Sequence, residues 1–404
     1  MTKQKRIIIW SVLAGLVVIL VVLIGFNLTS SKDTQKPIPT TSPTATRLLP
    51  SGFEPQSASF VSAKMGFVLG IANCASRPCL AIQRTQDGGK TWSSIPSPNI
   101  SLTQGKYSET PVTGVSRIRF VNGMDGYLYG PDLYATHDGG ATWQKLTLQG
   151  IPNPYVVTSL ETNSSNTYLI AGTPNVMPSP DYLFISKATS GAFTQSKFIF
   201  PTGTPTQITV NAYGAVIAAD NHGATLRPSN PNGDLFYQAT GTTSWTQIKA
   251  KCPSGFPFNP LVALAAPISG LNTPQLVLGC GGGVAAGSQE KTVVKSADLT
   301  TSTTTRTQPP LSGDLEAIAS PDGQTIAVGA SSGATFIYVS TDGGASWQTA
   351  ISDATLGGSF VHDLEFINAT QGFAVIGNAT TAGTRTSIFL MTHNRGLSWQ
   401  EITF

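Results

Sequence analysis

Charged side chains are scarce, at 11% of the 404 residues against about a quarter in an ordinary soluble domain. That shortage excludes a coiled coil, a long helical bundle and a chain kept disordered by charge. Basic residues form no run either. Six of the 24 (Lys3, Lys5, Arg6, Lys32, Lys36 and Arg47) precede residue 51 with one acid, Asp33, so residues 51–404 carry a net charge of about −2. Binding to a phosphate backbone, which needs clustered Lys and Arg, is excluded with it. The chain has four histidines, His137, His222, His362 and His393, scattered without a local ligand motif and read as turn and rim residues. It also lacks G-x-G-x-x-G, Walker and H-E-x-x-H phrases. What it has is 41 Gly, 27 Pro, many Ser and Thr, and 40% hydrophobic residues, a mixture that favours many short strands joined by turns.

Ile7 to Phe26 is an uncharged apolar run of twenty residues, about 30 Å as a helix and long enough to cross a bilayer. Lys3, Lys5 and Arg6 precede it, which predicts a cytoplasmic residue 1–6 segment and an extracytoplasmic remainder at the cell membrane. A cleaved signal peptide is the competing reading, but the run is longer than a usual h-region and has no clear small-x-small site. Residues 27–52, rich in Ser, Thr and Pro, bury too little apolar surface to order themselves and predict a flexible stalk. Residues 53–404 are expected to form the folded domain.

A repeat organises that domain. Its clearest copies are TQDGGKTW at 85–92, THDGGATW at 136–143, STDGGASW at 340–347 and THNRGLSW at 392–399. Degraded copies end at Phe193 and Trp245, and a poor one covers 296–303. The spacing is near 50 residues, too long for tetratricopeptide or ankyrin repeats and suited to a four-stranded propeller blade. A second marker agrees: seven short apolar strands, among them GFVLG at 66–70, GYLYG at 126–130 and GFAVIG at 372–377. Together they predict an all-β, seven-bladed β-propeller of four-stranded antiparallel blades, preceded by one transmembrane helix. The simplest wheel closes blade 1 against blade 7 by face packing.

The turn chemistry explains the phrase. Asp87, Asp138 and Asp342 can accept backbone N–H bonds inside the turn, as can Asn394. Gly88, Gly89, Gly139, Gly140, Gly343, Gly344 and Gly396 permit positive φ. The aromatics Trp92, Trp143, Phe193, Trp245, Trp347 and Trp399 can cover the hairpin and pack on the adjacent sheet. Once per blade is a structural rhythm, whereas a reaction centre needs different roles at one point.

These phrases resemble the BNR or Asp-box repeats of β-propellers, and the blade pattern is similar to YVTN/BNR-like and photosystem II assembly-factor propellers. The resemblance covers about residues 55–404 and implies a seven-bladed binding or assembly scaffold. It does not imply one activity, since sialidases, xyloglucan-degrading enzymes and sortilin-like receptors also carry Asp boxes.

Cys74 with Cys79, and Cys252 with Cys280, form two local pairs. Outside a membrane they are expected to be disulfides; a four-thiolate metal site would require blades 1 and 5 to converge. No metal or cofactor is expected. For catalysis, the FRIP-type opening of sialidases is missing, the nearest phrase being SRIRF at 116–120. A glycosidase needs two opposed carboxyl groups, for which Asp314, Glu316, Asp363 and Glu365 are the candidates, although their DLE wording also fits strand-end hydrogen bonding. Arg117 and Arg119 share strand parity, as do Asp363 and Glu365. The favoured expectation is a non-catalytic binding or assembly scaffold, in which these four residues satisfy strand ends and pair blades; their functional reading is two opposite charge patches, on the inner strands of blades 2 and 7, with the arginines docking an acidic protein or ligand while the two acids restrict its orientation. A glycan-binding or glycoside-hydrolysing propeller is the alternative.

Overall fold

The computed structural model describes residues 52–74, 77–102, 113–173, 181–201, 204–220, 234–256, 261–297, 299, 304–356, 359–377 and 386–404. The apolar run at 7–26 and nearly all of the proposed stalk lie outside them. Among the described residues no helix is long and apolar enough to cross a membrane, and all fall in one compact unit.

Seven four-stranded antiparallel sheets follow one another along the chain, each built from consecutive strands. Their inner strands are Glu54–Phe60, Arg117–Phe120, Val156–Thr162, Thr204–Asn211, Leu261–Ala265, Asp314–Ala319 and Val361–Phe366. Neighbouring inner strands touch in turn and the seventh touches the first, which closes the ring. Among the described residues no strand is exchanged between blades 1 and 7. The seam between them is instead aromatic: Phe53 meets Phe404 at 4.7 Å between ring centroids, and Trp92 meets Phe404 at 5.0 Å. Glu54 adds a polar clasp, accepting the backbone N–H groups of Thr386 and Ser387 at 3.0 and 3.2 Å.

The apolar second strands are buried throughout in blades 3, 6 and 7, because each is flanked by two strands of its own sheet and by two neighbouring blades. Where a second strand opens on glycine, as in blades 1, 2 and 7, there is a packing reason. A Cβ on Gly66, Gly126 or Gly372 would collide with the ring of Phe60, Phe120 or Phe366, the last residue of the preceding inner strand. The phrase pairs SF…GF, RF…GY and EF…GF therefore encode one repeated contact. In blade 5 the expected strand at 275–279 continues to Ala285. Cys280 is bonded there to Cys252, with Cα atoms 5.7 Å apart, and a hairpin extends beyond. Cys74 and Cys79 are likewise bonded, near the end of the blade 1 hairpin.

The box turns behave as their residues dictate. Asp87 accepts the backbone N–H of Thr91 at 2.9 Å and its hydroxyl at 2.6 Å, while Thr85 Oγ1 accepts Gly89 N–H at 2.9 Å. Asp138 and Asp342 repeat this pattern with Thr142 and Ser346. The Thr91 hydroxyl and backbone hold Asp87 at about 2, and Thr142 does the same for Asp138. In blade 7, Asn394 replaces the acid and Arg395 takes the first glycine's place at φ 66°. Its guanidinium reaches back to blade 6, donating to Thr325 Oγ1 at 2.9 Å and Thr341 O at 3.3 Å, contacts that offset the cost of left-handed backbone at a non-glycine residue. Each described box aromatic packs on the preceding blade. Trp143 donates to Pro96 O of blade 1 while its ring meets Phe120 of its own blade, Phe193 meets Tyr127 of blade 2, and Trp245 meets Tyr168 of blade 3. Trp347 and Trp399 pack into the cores between blades 5 and 6 and between blades 6 and 7. In the poor copy, buried Leu299 occupies the first glycine's place; its aromatic position, 303, lies outside the described residues.

One connection relies on a buried cation. Lys291 donates to the carbonyls of Gly313 (2.6 Å), Leu311 (2.7 Å), Gln289 (3.0 Å) and Ser312 (3.2 Å), pinning the chain where blade 5 passes to blade 6. Burial pushes its ammonium down to about 8.

Candidate functional site at the propeller axis

Each inner strand has one edge that pairs with its sheet and one that faces the axis with its backbone groups unpaired. Such an edge must be satisfied, and here side chains of the previous blade do it. Ser57 and Ser59 accept the N–H groups of Ile118 and Phe120 at 3.3 and 2.9 Å. Glu316 Oε2 accepts Val361 N–H at 2.8 Å, and Asp363 Oδ2 accepts Ala58 N–H at 2.9 Å. Glu316 also takes a hydrogen bond from the Ser331 hydroxyl. The strand-end reading of the DLE wording therefore describes Glu316, and half of what Asp363 does. Asp314, two positions before Glu316, is exposed at the start of its strand.

Asp363's other oxygen joins a larger network. Arg117 Nη1 and Arg119 Nη2 lie 3.4 and 3.3 Å from its Oδ1. Arg119 also straddles Glu161 through Nε, at 2.9 and 3.1 Å, and donates through Nη1 to the carbonyls of Ile118 and Ala58. Glu365 stands 3.5 Å from Arg119 Nη2. Arg117, Arg119, Asp363 and Glu365 thus meet in one network across blade 1, where two separate charge patches were expected. Arg119 is buried and its donors point at protein oxygens, so it presents little to an incoming acid. Glu161 is the member that sequence reasoning missed. Its signal was positional: Arg119, Glu161 and Glu365 stand opposite Tyr127, Tyr168 and Phe373 of their second strands, so all three occupy the same place in their blades.

The electrostatics divide the acids. Burial works against an ionised Asp363, but Arg119 and Arg117 outweigh it and hold the carboxyl at about 2. Glu365 is pushed up to about 8 by burial, with the Glu161 and Asp363 carboxylates reinforcing the shift against Arg119. Burial also raises Glu161 and Glu316. Beside this network lies a cavity of about 670 Å³ to which every inner strand contributes. A G-x-S-x-G phrase, Gly329–Gly333, passes from the second to the third strand of blade 6. That is a hairpin, not the strand-to-helix elbow a nucleophilic serine uses, and Ser331 is bonded to Glu316.

The blade 6 turn decides the repeat: the BNR/Asp-box repeat model matches residues 338–349. This chain is a seven-bladed propeller with Asp-box repeats. Comparison with curated proteins returned no match. Among solved structures, the propeller is similar to YCF48 from Cyanidioschyzon merolae, with a TM-score of 0.51 and 14% identity over 86% of this chain and 97% of that one. A structure described as YCF48 bound to D1 peptide gives 0.50 and 17% over 86% and 95%. A PL25 ulvan lyase gives 0.52 and 8% over 88% and 97%. At these identities the likeness is one of fold, and it joins an Asp-box propeller to binding proteins and enzymes alike.

Proposed function

We propose that this Asp-box propeller is a non-catalytic scaffold that binds a protein partner, carried outside the cell membrane on an anchor formed by residues 7–26. One observation carries the scaffold reading: both Asp363 oxygens are engaged, one by Ala58 N–H and the other by two arginines. A carboxylate held this way supports the ring and is poorly placed to attack a sugar. A protein partner is favoured by the fold shared with YCF48, for which a D1 peptide complex exists. Extracytoplasmic placement is favoured by the two disulfides, which persist in oxidising compartments.

The alternative, glycoside hydrolysis, draws on the contrast between Asp363 at about 2 and Glu365 at about 8, since acid catalysts are often found where neighbouring carboxyls titrate far apart. Placement is tested first. Protease added to intact cells is expected to release a fragment of about residues 30–404 while the anchor stays with the membrane, and non-reducing peptide mapping is expected to recover Cys74–Cys79 and Cys252–Cys280. Recovery of the whole chain from cytosol, with four free thiols, contradicts the placement.

A further inference from the structure

The axial cavity has a direction. Besides the inner strands it is lined by the turns that lead to the second strands, at Asn211–Tyr213, Ser320–Asp322 and Asn368–Ala369. The Asp boxes hydrogen-bond to turns of this same set, as from Gly88 N–H to Lys64 O and from Gly343 N–H to Gln324 O, both at 2.8 Å. The mouth is therefore at the Asp-box end of the ring.

Acids outnumber cations there. Five carboxyl groups line it, on Glu161, Glu316, Asp322, Asp363 and Glu365, against one guanidinium, that of Arg119; Arg117 and Arg395 reach Asp363 and Asp322 at 3.4 and 3.8 Å. Arg119, the one cationic side chain among the described residues that line it, is already bonded to Glu161, Asp363 and two carbonyls, so an anion entering here would meet carboxyl groups and no unengaged guanidinium. Glu365 is the opposite case. It is recessed in the cavity, where loss of bulk solvent raises its carboxyl, yet its side chain is still 44% exposed within that space, and its ion pair, to Arg119, is long at 3.5 Å. The turns at this end also carry exposed apolar side chains: Tyr213, which lines the cavity, and Ile268 and Leu271, on the corresponding turn of blade 5, are 42%, 43% and 45% exposed.

We propose that the axial cavity receives the ammonium or guanidinium group of a basic side chain of a protein partner, with Glu365 as its principal acceptor and the partner's flanking apolar residues on Tyr213, Ile268 and Leu271. The proposal rests on the scaffold reading and reverses the charge of the partner expected from sequence. A charge-assisted hydrogen bond at the bottom of a cavity gives the interaction its selectivity. The upward shifts of Glu161, Glu316 and Glu365, each led by burial, fit carboxyls that an added cation would help to ionise.

The test uses the full-length protein in detergent and an acetylated pentapeptide, Tyr-Leu-Lys-Leu-Tyr, with counterparts in which norleucine or glutamate replaces the lysine. Titration calorimetry is expected to show saturable binding of the lysine peptide and at least about tenfold weaker binding of both counterparts. Glu365→Gln is expected to weaken the lysine peptide about tenfold without lowering the unfolding temperature, because this carboxylate is poorly paired. Tyr213→Ala, on the exposed rim, gives a second reading independent of the network, with several-fold weaker binding. Equal or tighter binding of the glutamate peptide, indifference to both substitutions, or no saturation by about 1 mM lysine peptide overturns the proposal. The scaffold reading fails on a different result, cleavage of a glycan by the same preparation.

Discussion

Arg119→Ala is expected to destabilise the propeller by about 3–5 kcal/mol at pH 8, the range for removing one partner of a buried ion pair, and by clearly less at pH 5. The substitution leaves Glu161, Asp363 and Glu365 facing one another around the axis with Arg117 as the remaining cation at Asp363. Glu161 and Glu365 are already raised with Arg119 present, and they rise further without it. A carboxyl raised in the folded state binds more protons there than in the unfolded chain, so stability falls as pH climbs from the ordinary Glu value toward the raised one. The loss should therefore grow between pH 5 and 8 in chemical denaturation. A loss of equal size at both values would mean that Arg119 acts through packing and its carbonyl bonds alone.

Trp92→Ala is expected to cost about 3 kcal/mol and to open one seam before the rest. Trp92 packs against Phe60, Phe389 and Phe404 at centroid distances of 6.3, 5.8 and 5.0 Å, so its ring belongs to both blade 1 and blade 7. Every other seam is also bridged by the chain passing from one blade to the next. Among the described residues this one is held by side-chain packing and by bonds such as those of Glu54 and Asp363. Hydrogen exchange should show early loss of protection in Glu54–Phe60 and Ser387–Thr392, with the strands of blades 3 to 5 unchanged. Uniform loss across all seven blades would show that the ring unfolds as one unit and that the seam has no separate weakness.

The parts of the molecule legible in the sequence are those whose chemistry is local. An Asp-box turn needs an acid, two residues tolerant of positive φ and an aromatic within eight positions, and these recur with little change at Asp87, Asp138 and Asp342. The second strands are equally readable, because their apolar run, opened by glycine in blades 1, 2, 4 and 7, answers to one packing environment. Blade 7 shows the agreement well, with strands at Val361–Phe366, Gly372–Gly377, Ser387–Thr392 and Gln400–Ile402. The axis was less legible because its contacts join blades far apart in the chain: Arg119 meets Asp363 244 positions away. Parity put Arg117 with Arg119 and Asp363 with Glu365, but parity does not say that blade 1 presents serines, Ser57 and Ser59, between them. Those small side chains leave room for an arginine to reach across. Glu161 stayed hidden in TSLET for the same reason, since a single acid in a polar strand has no meaning until its counterpart in blade 2 is known.

The most direct test of the account asks whether the axial carboxylates do chemistry. Full-length protein and the Asp363→Asn/Glu365→Gln double variant, each shown to be folded, would be incubated with xyloglucan, sialyllactose and ulvan while newly formed sugar ends are followed over time. The account predicts no release above background from either protein. Release by the parent that disappears in the folded double variant would contradict it, and would make Asp363 and Glu365 catalytic residues.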